Sequence, residues 1–234
     1  MARSLKYEIP GEDPRLPMSR VVEAGWAACF QGTDGCAPDA GGEPGLGDFD
    51  RMVLEIGFGR GEFLLDMAAR APSTAFVGIE ISFKRTLKMA RKVARARLRN
   101  VRLLEGRAEV ALRQLFEPGR LAEIWINFSD PWPKARHAQR RLIQPALIAD
   151  PAGRLEPGGL LHVATDDVPY AHQIDEVLAG EPSLRNLFAP LPFLPEVPGR
   201  RVTGYESQWR AEGRPLHFFT YVRREDGDAG GEGA

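Results

Sequence analysis

Cysteine is nearly missing from this chain of 234 residues, which has two, Cys29 and Cys36. That excludes a disulfide framework and makes a reducing cytoplasm the expected compartment. The four histidines (His137, His162, His172 and His217) are scattered, so no zinc-ligand spacing exists and no metal is expected. A run of about 18 apolar residues is also lacking, which predicts no membrane span. The stretch Met1–Pro10 has no apolar centre of the kind a secretory signal needs. No internal repeat is visible. What remains is 43% hydrophobic and 27% charged. That composition excludes collagen-like, wholly disordered and coiled-coil classes, and the length fits one large domain with appendages.

A formal net charge of −1 conceals an asymmetry. Residues 1–50 hold nine acids and four bases, and residues 225–234 hold four acids and no base. The remaining 51–224 carry 27 bases against 19 acids, a basic body compatible with a polyanionic partner or with a merely solvated surface. Residues 32–49 are rich in Gly, Asp and Pro and read as a flexible connector. The expected organisation is therefore an N-terminal arm and linker (1–50), a folded domain (51–224) and a disordered acidic tail (225–234).

Within the body, strands and helices alternate. Met52–Ile56, Ala75–Glu80, Val101–Leu104, Glu123–Ile126 and Gly159–Ala164 are short apolar runs bounded by turn residues. Glu62–Arg70 places Phe63, Leu64, Met67 and Ala68 on one helical face. Ser82 stands as an N-cap before a helix in which Phe83, Leu87, Ala90, Ala94 and Leu98 recur at helical spacing. Val168–Leu178 reads as a helix and Leu216–Val222 as a late strand, expected to be antiparallel. Such βα repeats predict an α/β fold with a doubly wound, mostly parallel sheet. Ligands then gather in the loops after the strands.

Two of those loops carry chemistry. Glu55-Ile-Gly57-Phe-Gly59-Arg-Gly61-Glu62 ends a strand and opens a helix. Glycines allow sharp turns and close approach to a ligand. The dinucleotide fingerprint G-x-G-x-x-G fails, because its sixth position is Glu62, whose charge also opposes a pyrophosphate at that helix start. Glu55 suits a cation instead, such as the amino and sulfonium groups of S-adenosylmethionine. Glu80 ends the next strand, where a carboxylate can accept both hydrogen bonds of a ribose diol. The other loop reads Asn127-Phe-Ser-Asp130-Pro-Trp-Pro-Lys134-Ala-Arg136-His-Ala-Gln-Arg140-Arg141. Its prolines stiffen it, Trp132 can stack on a base or simply pack, and Lys134, Arg136, Arg140 and Arg141 suit phosphates.

On these residues, together with Gly78-Ile-Glu80, Ala164-Thr-Asp166, Tyr170 and Thr203-Gly-Tyr-Glu206, the chain resembles bacterial tRNA (guanine-N7)-methyltransferases. The resemblance runs through about 51–224. It implies a Rossmann-like methyltransferase sheet of seven strands. It further implies S-adenosylmethionine as cofactor, S-adenosylhomocysteine as product, tRNA as partner and the variable-loop guanine at position 46 as target, in a monomer or homodimer. By resemblance Glu55, Gly57, Gly59, Gly61, Glu80, Arg107 and Asp130 hold the cofactor, and Asp130 is also the catalytic-site carboxylate. Lys134, Asp166, Thr203, Gly204, Tyr205 and Glu206 contact the substrate. Three positions depart from the family's habit. Arg107 replaces an acid, Ser129 replaces the proline before Asp130 and so loosens that loop, and Gly204 replaces a frequent lysine.

The residue types suit the chemistry. Guanine N7 offers an in-plane lone pair and bears no proton, so methylation there needs alignment and charge stabilisation rather than a general base. The segment 82–99, with Lys84, Arg85, Lys88, Arg91, Lys92, Arg95, Arg97 and Arg99, is either a solvated helix face or part of a tRNA-binding surface. Three other readings stand beside the main one: a nicotinamide-dependent oxidoreductase, a non-catalytic RNA-binding module, and a methyltransferase acting on another RNA or a small molecule. Glu62 opposes the first, and the cofactor carboxylates oppose the second. The arginine-rich loop opposes a small-molecule substrate.

Overall fold

The computed structural model of the chain describes residues 8–30 and 49–225. Most of the expected linker and all but the first residue of the expected acidic tail lie outside the described residues. The chain divides into two compact units, Met1–Leu115 and Phe116–Ala234.

The first unit runs β1 (Arg15–Leu16), α1 (Met18–Phe30), β2 (Arg51–Ile56), α2 (Glu62–Arg70), β3 (Thr74–Glu80), α3 (Phe83–Ala96), β4 (Val101–Glu105) and α4 (Ala108–Leu115). Its strands are parallel, in the order β1-β4-β3-β2. Val53, Leu54, Phe76, Val77, Leu103 and Leu104 are all buried. A parallel strand covered on both faces has no polar side to show, which is why these segments read as unbroken apolar runs. Helix α3 ends at Ala96 because Arg97 turns left-handed (φ 54°), two residues before the periodicity of the sequence gives out. Ser82 does occupy its N-cap, but the side chain makes no capping bond.

The N-terminal residues are more ordered than an arm. Leu103 N–H donates to Pro14 O (2.9 Å), and Trp26 Nε1–H donates to Leu115 O (2.7 Å). The buried guanidinium of Arg102 donates from Nε to Cys29 O (2.6 Å) and pairs with Glu12 (3.1 Å). Gly25, at φ 73° and ψ 166°, breaks α1 into two pieces and so blurs its helical periodicity.

The second unit runs β5 (Leu121–Asn127), a 3₁₀ turn (Ala135–Arg140), α5 (Pro145–Arg154), β6 (Leu155–Thr165), α6 (Val168–Ala179), β7 (Leu184–Asn186), α7 (Gly204–Ala211) and β8 (His217–Arg223). The strand order is β5-β6-β8-β7; β5 and β6 are parallel, and β8 runs antiparallel to both of its neighbours. The expected α/β class and late antiparallel strand are both present. The described strands number eight rather than seven. The shortest, β1 and β7, have two and three residues, too few to show a hydrophobic period.

One packing feature of this unit has a pH signature. His162 on β6 stacks on Trp125 (3.8 Å between centroids, 15°), and its Nδ1 lies 3.2 Å from Thr220 Oγ1. Burial, and secondarily Arg200, push its pKa down to about 3. The unfolded chain therefore takes up a proton below about pH 6.5 that the folded chain refuses, so stability falls as pH drops from 6.5 towards 3. Replacing His162→Phe removes this penalty. The free-energy difference between variant and wild type should shift in the variant's favour by roughly 2 kcal/mol between pH 6.5 and 5, read by urea unfolding at each pH. A pH-independent difference would contradict the burial argument.

Candidate active site

In the first unit the loop between β2 and α2 is built by left-handed glycines. Gly57, Gly59 and Gly61 have φ of 73°, 55° and 72°, a region costly for any side chain. Gly61 is doubly required, because a Cβ there would lie 2.1 Å from Met89 Sδ on α3. Glu80, 3% exposed at the end of β3, ties the loop to its own strand. One carboxylate oxygen accepts Gly59 N–H (3.1 Å) and the other accepts Ser82 N–H (3.0 Å). Arg85 approaches the first of these oxygens at 3.6 Å. A carboxylate oxygen has two acceptor sites, so each still has one for a ligand hydroxyl. Glu55 is also buried, beside Gly78 in the β2–β3 register. Arg107, just after Gly106 (φ 158°), points to solvent ahead of α4. Glu55, the three glycines and Glu80 thus form a cradle with negative charge and a free-turning backbone. Its donor set suits a cationic, ribose-bearing ligand better than a pyrophosphate.

In the second unit β5 delivers Asp130 to an exposed position. Two bulky residues around it take left-handed backbone angles, Phe128 at φ 52° and Trp132 at φ 44°. Conformations of that kind cost of order 1–3 kcal/mol each and persist only where the surroundings enforce them. The enforcement is visible. Phe128 N–H donates to Ala164 O (2.8 Å), and its ring packs edge-on against Trp209 (4.7 Å). Arg140 lies over the Trp132 ring (5.1 Å). Ser129 Oγ and Tyr170 Oη are 3.2 Å apart, and Tyr170 Oη accepts Ile143 N–H (2.9 Å). The serine that departs from the family's proline is thus a tie and not a loose point.

Arg141 corrects the sequence-based expectation. It is buried, donates from Nε to Pro131 O (2.8 Å) and from Nη1 to Gln173 Oε1 (2.7 Å), and lies over the Tyr170 ring (5.1 Å). It latches the loop and is not available to a phosphate. Lys134, Arg136 and Arg140 remain exposed.

The expected substrate residues separate into two kinds. Thr203 and Glu206 form a capping box at the start of α7: Glu206 N–H donates to Thr203 Oγ1 (2.9 Å) and Thr203 N–H to Glu206 Oε2 (3.4 Å). Glu206, 2% exposed, also pairs with Arg200 (2.6 Å) and Arg210 (2.9 Å). Both side chains are therefore committed to structure. Gly204 is exposed, and Tyr205 is half-buried, stacked on Trp209 (5.3 Å, 22°). Asp166, after β6, pairs with Arg214 (2.9 Å), which also lies over Trp209 (5.7 Å). Arg200, Trp209 and Arg214 escaped sequence reasoning. Arg200 reaches across to Asn127 Oδ1 (2.5 Å) at the end of β5 and so joins α7 to the Asp130 loop. Nothing local in the sequence signals that reach.

Comparison with known proteins gives the family. A family described as "Putative methyltransferase" matches residues 50–219, and that sets the class. A protein of Mycobacterium avium named tRNA (guanine-N(7)-)-methyltransferase is 39% identical over 173 residues, covering 74% of this chain and 66% of that relative. One of Burkholderia vietnamiensis with the same name is 39% identical over 188 residues, covering 77% and 73%. The chain belongs to the tRNA (guanine-N7)-methyltransferase family. It spans from 64% to 73% of the length of the curated relatives compared with it. An rRNA methylase from Streptococcus thermophilus superposes with a TM-score of 0.51 at 14% identity, covering 76% of this chain and 89% of that one, which shows the shared fold.

Proposed function

We propose that the chain transfers the methyl group of S-adenosylmethionine to N7 of a guanine in tRNA, at the variable-loop position 46. The observation that carries this reading is the Asp130 loop, a solvent-facing carboxylate held out by strained, latched backbone with Lys134 and Arg136 close behind it in sequence. Two relatives 39% identical to the chain bear the corresponding name.

The chain's own residues divide the work. Glu80 accepts the ribose hydroxyls with the acceptor sites that Gly59 and Ser82 leave open. Glu55 faces the cationic amino-acid end, Gly57, Gly59 and Gly61 bring backbone close to the ligand, and Arg107 borders the adenine. When bound, S-adenosylmethionine supplies an electrophilic methyl group on a sulfonium sulfur. Asp130 accepts hydrogen bonds from guanine N1–H and the 2-amino group and stabilises the positive charge that grows on the ring; it removes no proton. Lys134 meets phosphate, Asp166 and Tyr205 line the substrate side, and Thr203, Gly204 and Glu206 act by setting the start of α7. Holding nucleophile and methyl in line is a proximity effect worth roughly 7–11 kcal/mol.

The test is nucleoside mass spectrometry of unmodified tRNA incubated with the protein and S-adenosylmethionine. 7-Methylguanosine that disappears when position 46 is changed to adenosine is the expected result. Methylation of another atom or another nucleotide overturns the assignment, and so does binding of S-adenosylhomocysteine and tRNA without any transfer.

A further inference from the structure

Helix α3 obeys the rules of a stable helix on one face and breaks them on the other. Thr86, Leu87, Met89, Ala90 and Val93 are buried. The rest of the helix carries Lys84, Arg85, Lys88, Arg91, Lys92 and Arg95, with no acidic residue anywhere from Phe83 to Ala96. Like charges at i, i+3 and i, i+4, such as Lys84 with Lys88 and Lys88 with Arg91 and Lys92, repel. Cations at a helix start also oppose the macrodipole, and α3 has no acid in its first turn.

Part of the charge is answered at home. Arg85 nears Glu80 (3.6 Å), Lys92 donates to Arg60 O (2.9 Å) and Arg91 to Glu8 O (2.9 Å). Arg95 suits the helix C-terminus, where the dipole favours a cation. Lys84 and Lys88 are exposed and form no ion pair among the described residues. Arg97 adds a second anomaly. It occupies the left-handed C-cap (φ 54°), a place where glycine is favoured, and keeps an exposed cation there. A sequence that violates local preference repeatedly in one direction, on one surface, marks function rather than folding.

We infer that α3 is a phosphate-backbone binding surface for tRNA, using Lys84, Lys88, Arg95 and Arg97. From Lys84 to Arg95 the rise is about 16 Å, long enough to follow several phosphates of a strand. A lipid surface does not fit: an interfacial helix needs a continuous free apolar face, and on α3 Leu87, Met89, Ala90 and Val93 are buried, leaving Phe83 as an exposed large apolar side chain at its start. The contact is sequence-independent and fixes register, not base choice. It rests on the reading of the chain as a tRNA enzyme.

Two variants separate binding from structure. Lys84→Glu together with Lys88→Gln places an acid at the helix start, and Arg97→Gly relieves the left-handed cap. A purely structural role predicts that either change raises Tm and leaves tRNA affinity alone. The binding role predicts that Tm is kept or rises by about 1–3 °C, while affinity falls. For the double variant the fall at 0.15 M salt is about 10- to 100-fold, and the slope of log affinity against log salt drops by roughly 1.5–2. KM for tRNA rises in step, with kcat and S-adenosylhomocysteine affinity unchanged. Unaltered affinity and slope overturn the inference, as does binding to phosphatidylserine vesicles in place of tRNA. Wild-type protein that binds tRNA without methylating it removes the enzymatic reading and leaves this one to the slope measurement. Wild-type protein with no affinity for tRNA ends both.

Discussion

Replacing Glu206→Ala is expected to cost about 3–5 kcal/mol of stability, the usual loss when one member of a buried ion pair is removed. The side chains of Glu206 and Arg200 are 3% and 7% exposed, so the guanidinium left behind has little water to turn to. The variant also loses half of the capping box with Thr203. Glu206→Gln keeps the shape and one acceptor, so it should recover part of the loss. Arg200→Ala combined with Glu206→Ala should cost clearly less than the two single changes added, because the stranded charge is gone. Chemical denaturation of the four proteins measures the cycle, and strict additivity would show that the pair is not coupled. Function should follow structure. Arg200 holds Asn127 and Trp209 holds Phe128, so loosening α7 loosens the strained backbone on which Asp130 stands. The Gln variant is therefore expected to fold and yet to turn over slowly.

How far residues announce their structure depends on the range over which they act. Strands β2 and β3 and helix α2 were legible to within a residue at most, since a buried parallel strand and an amphipathic helix write their periods locally. The glycine loop with Glu80 was legible for the same reason: the turn and its carboxylate partner lie 21 residues apart on neighbouring strands. Arg141 was misread because adjacency to Lys134, Arg136 and Arg140 says nothing about which side of a 3₁₀ turn a guanidinium takes. The capping box is legible in the sequence, as Thr203-x-x-Glu206 is its ordinary signature. Arg200 with Asn127 and Arg214 with Asp166 were illegible, being contacts 73 and 48 residues apart that only tertiary folding creates. The ordered stretch 15–30 was hidden by a two-residue strand and a helix broken at Gly25.

Asp130→Asn poses the sharpest question about the chemistry. Asp130 is exposed, and among the described residues its side chain forms no ion pair or hydrogen bond; the loop is shaped by Ser129, Trp132, Arg141 and Tyr170 instead. Its replacement should therefore leave the unfolding curve unmoved, unlike that of Glu206. The expected effect falls on the reaction: a drop in the single-turnover rate of about 10²–10³, the scale seen when a preorganised electrostatic group is lost. S-adenosylhomocysteine affinity should fall far less than the rate, because the change leaves Glu80 and its tie to the glycine loop untouched. Asparagine keeps one carbonyl acceptor but no charge, so Asp130→Ala should be slower again if the carboxylate both orients the base and stabilises its charge. A general base makes a different demand: Asn and Ala equally dead, and a rate that follows the titration of the base. N7 carries no proton to remove, so the rate should be flat from about pH 6 to pH 9 in wild type and both variants. Wild-type speed in the Asn variant would mean that this carboxylate neither orients nor stabilises. A rate that climbs with pH would mean that a proton is moved after all.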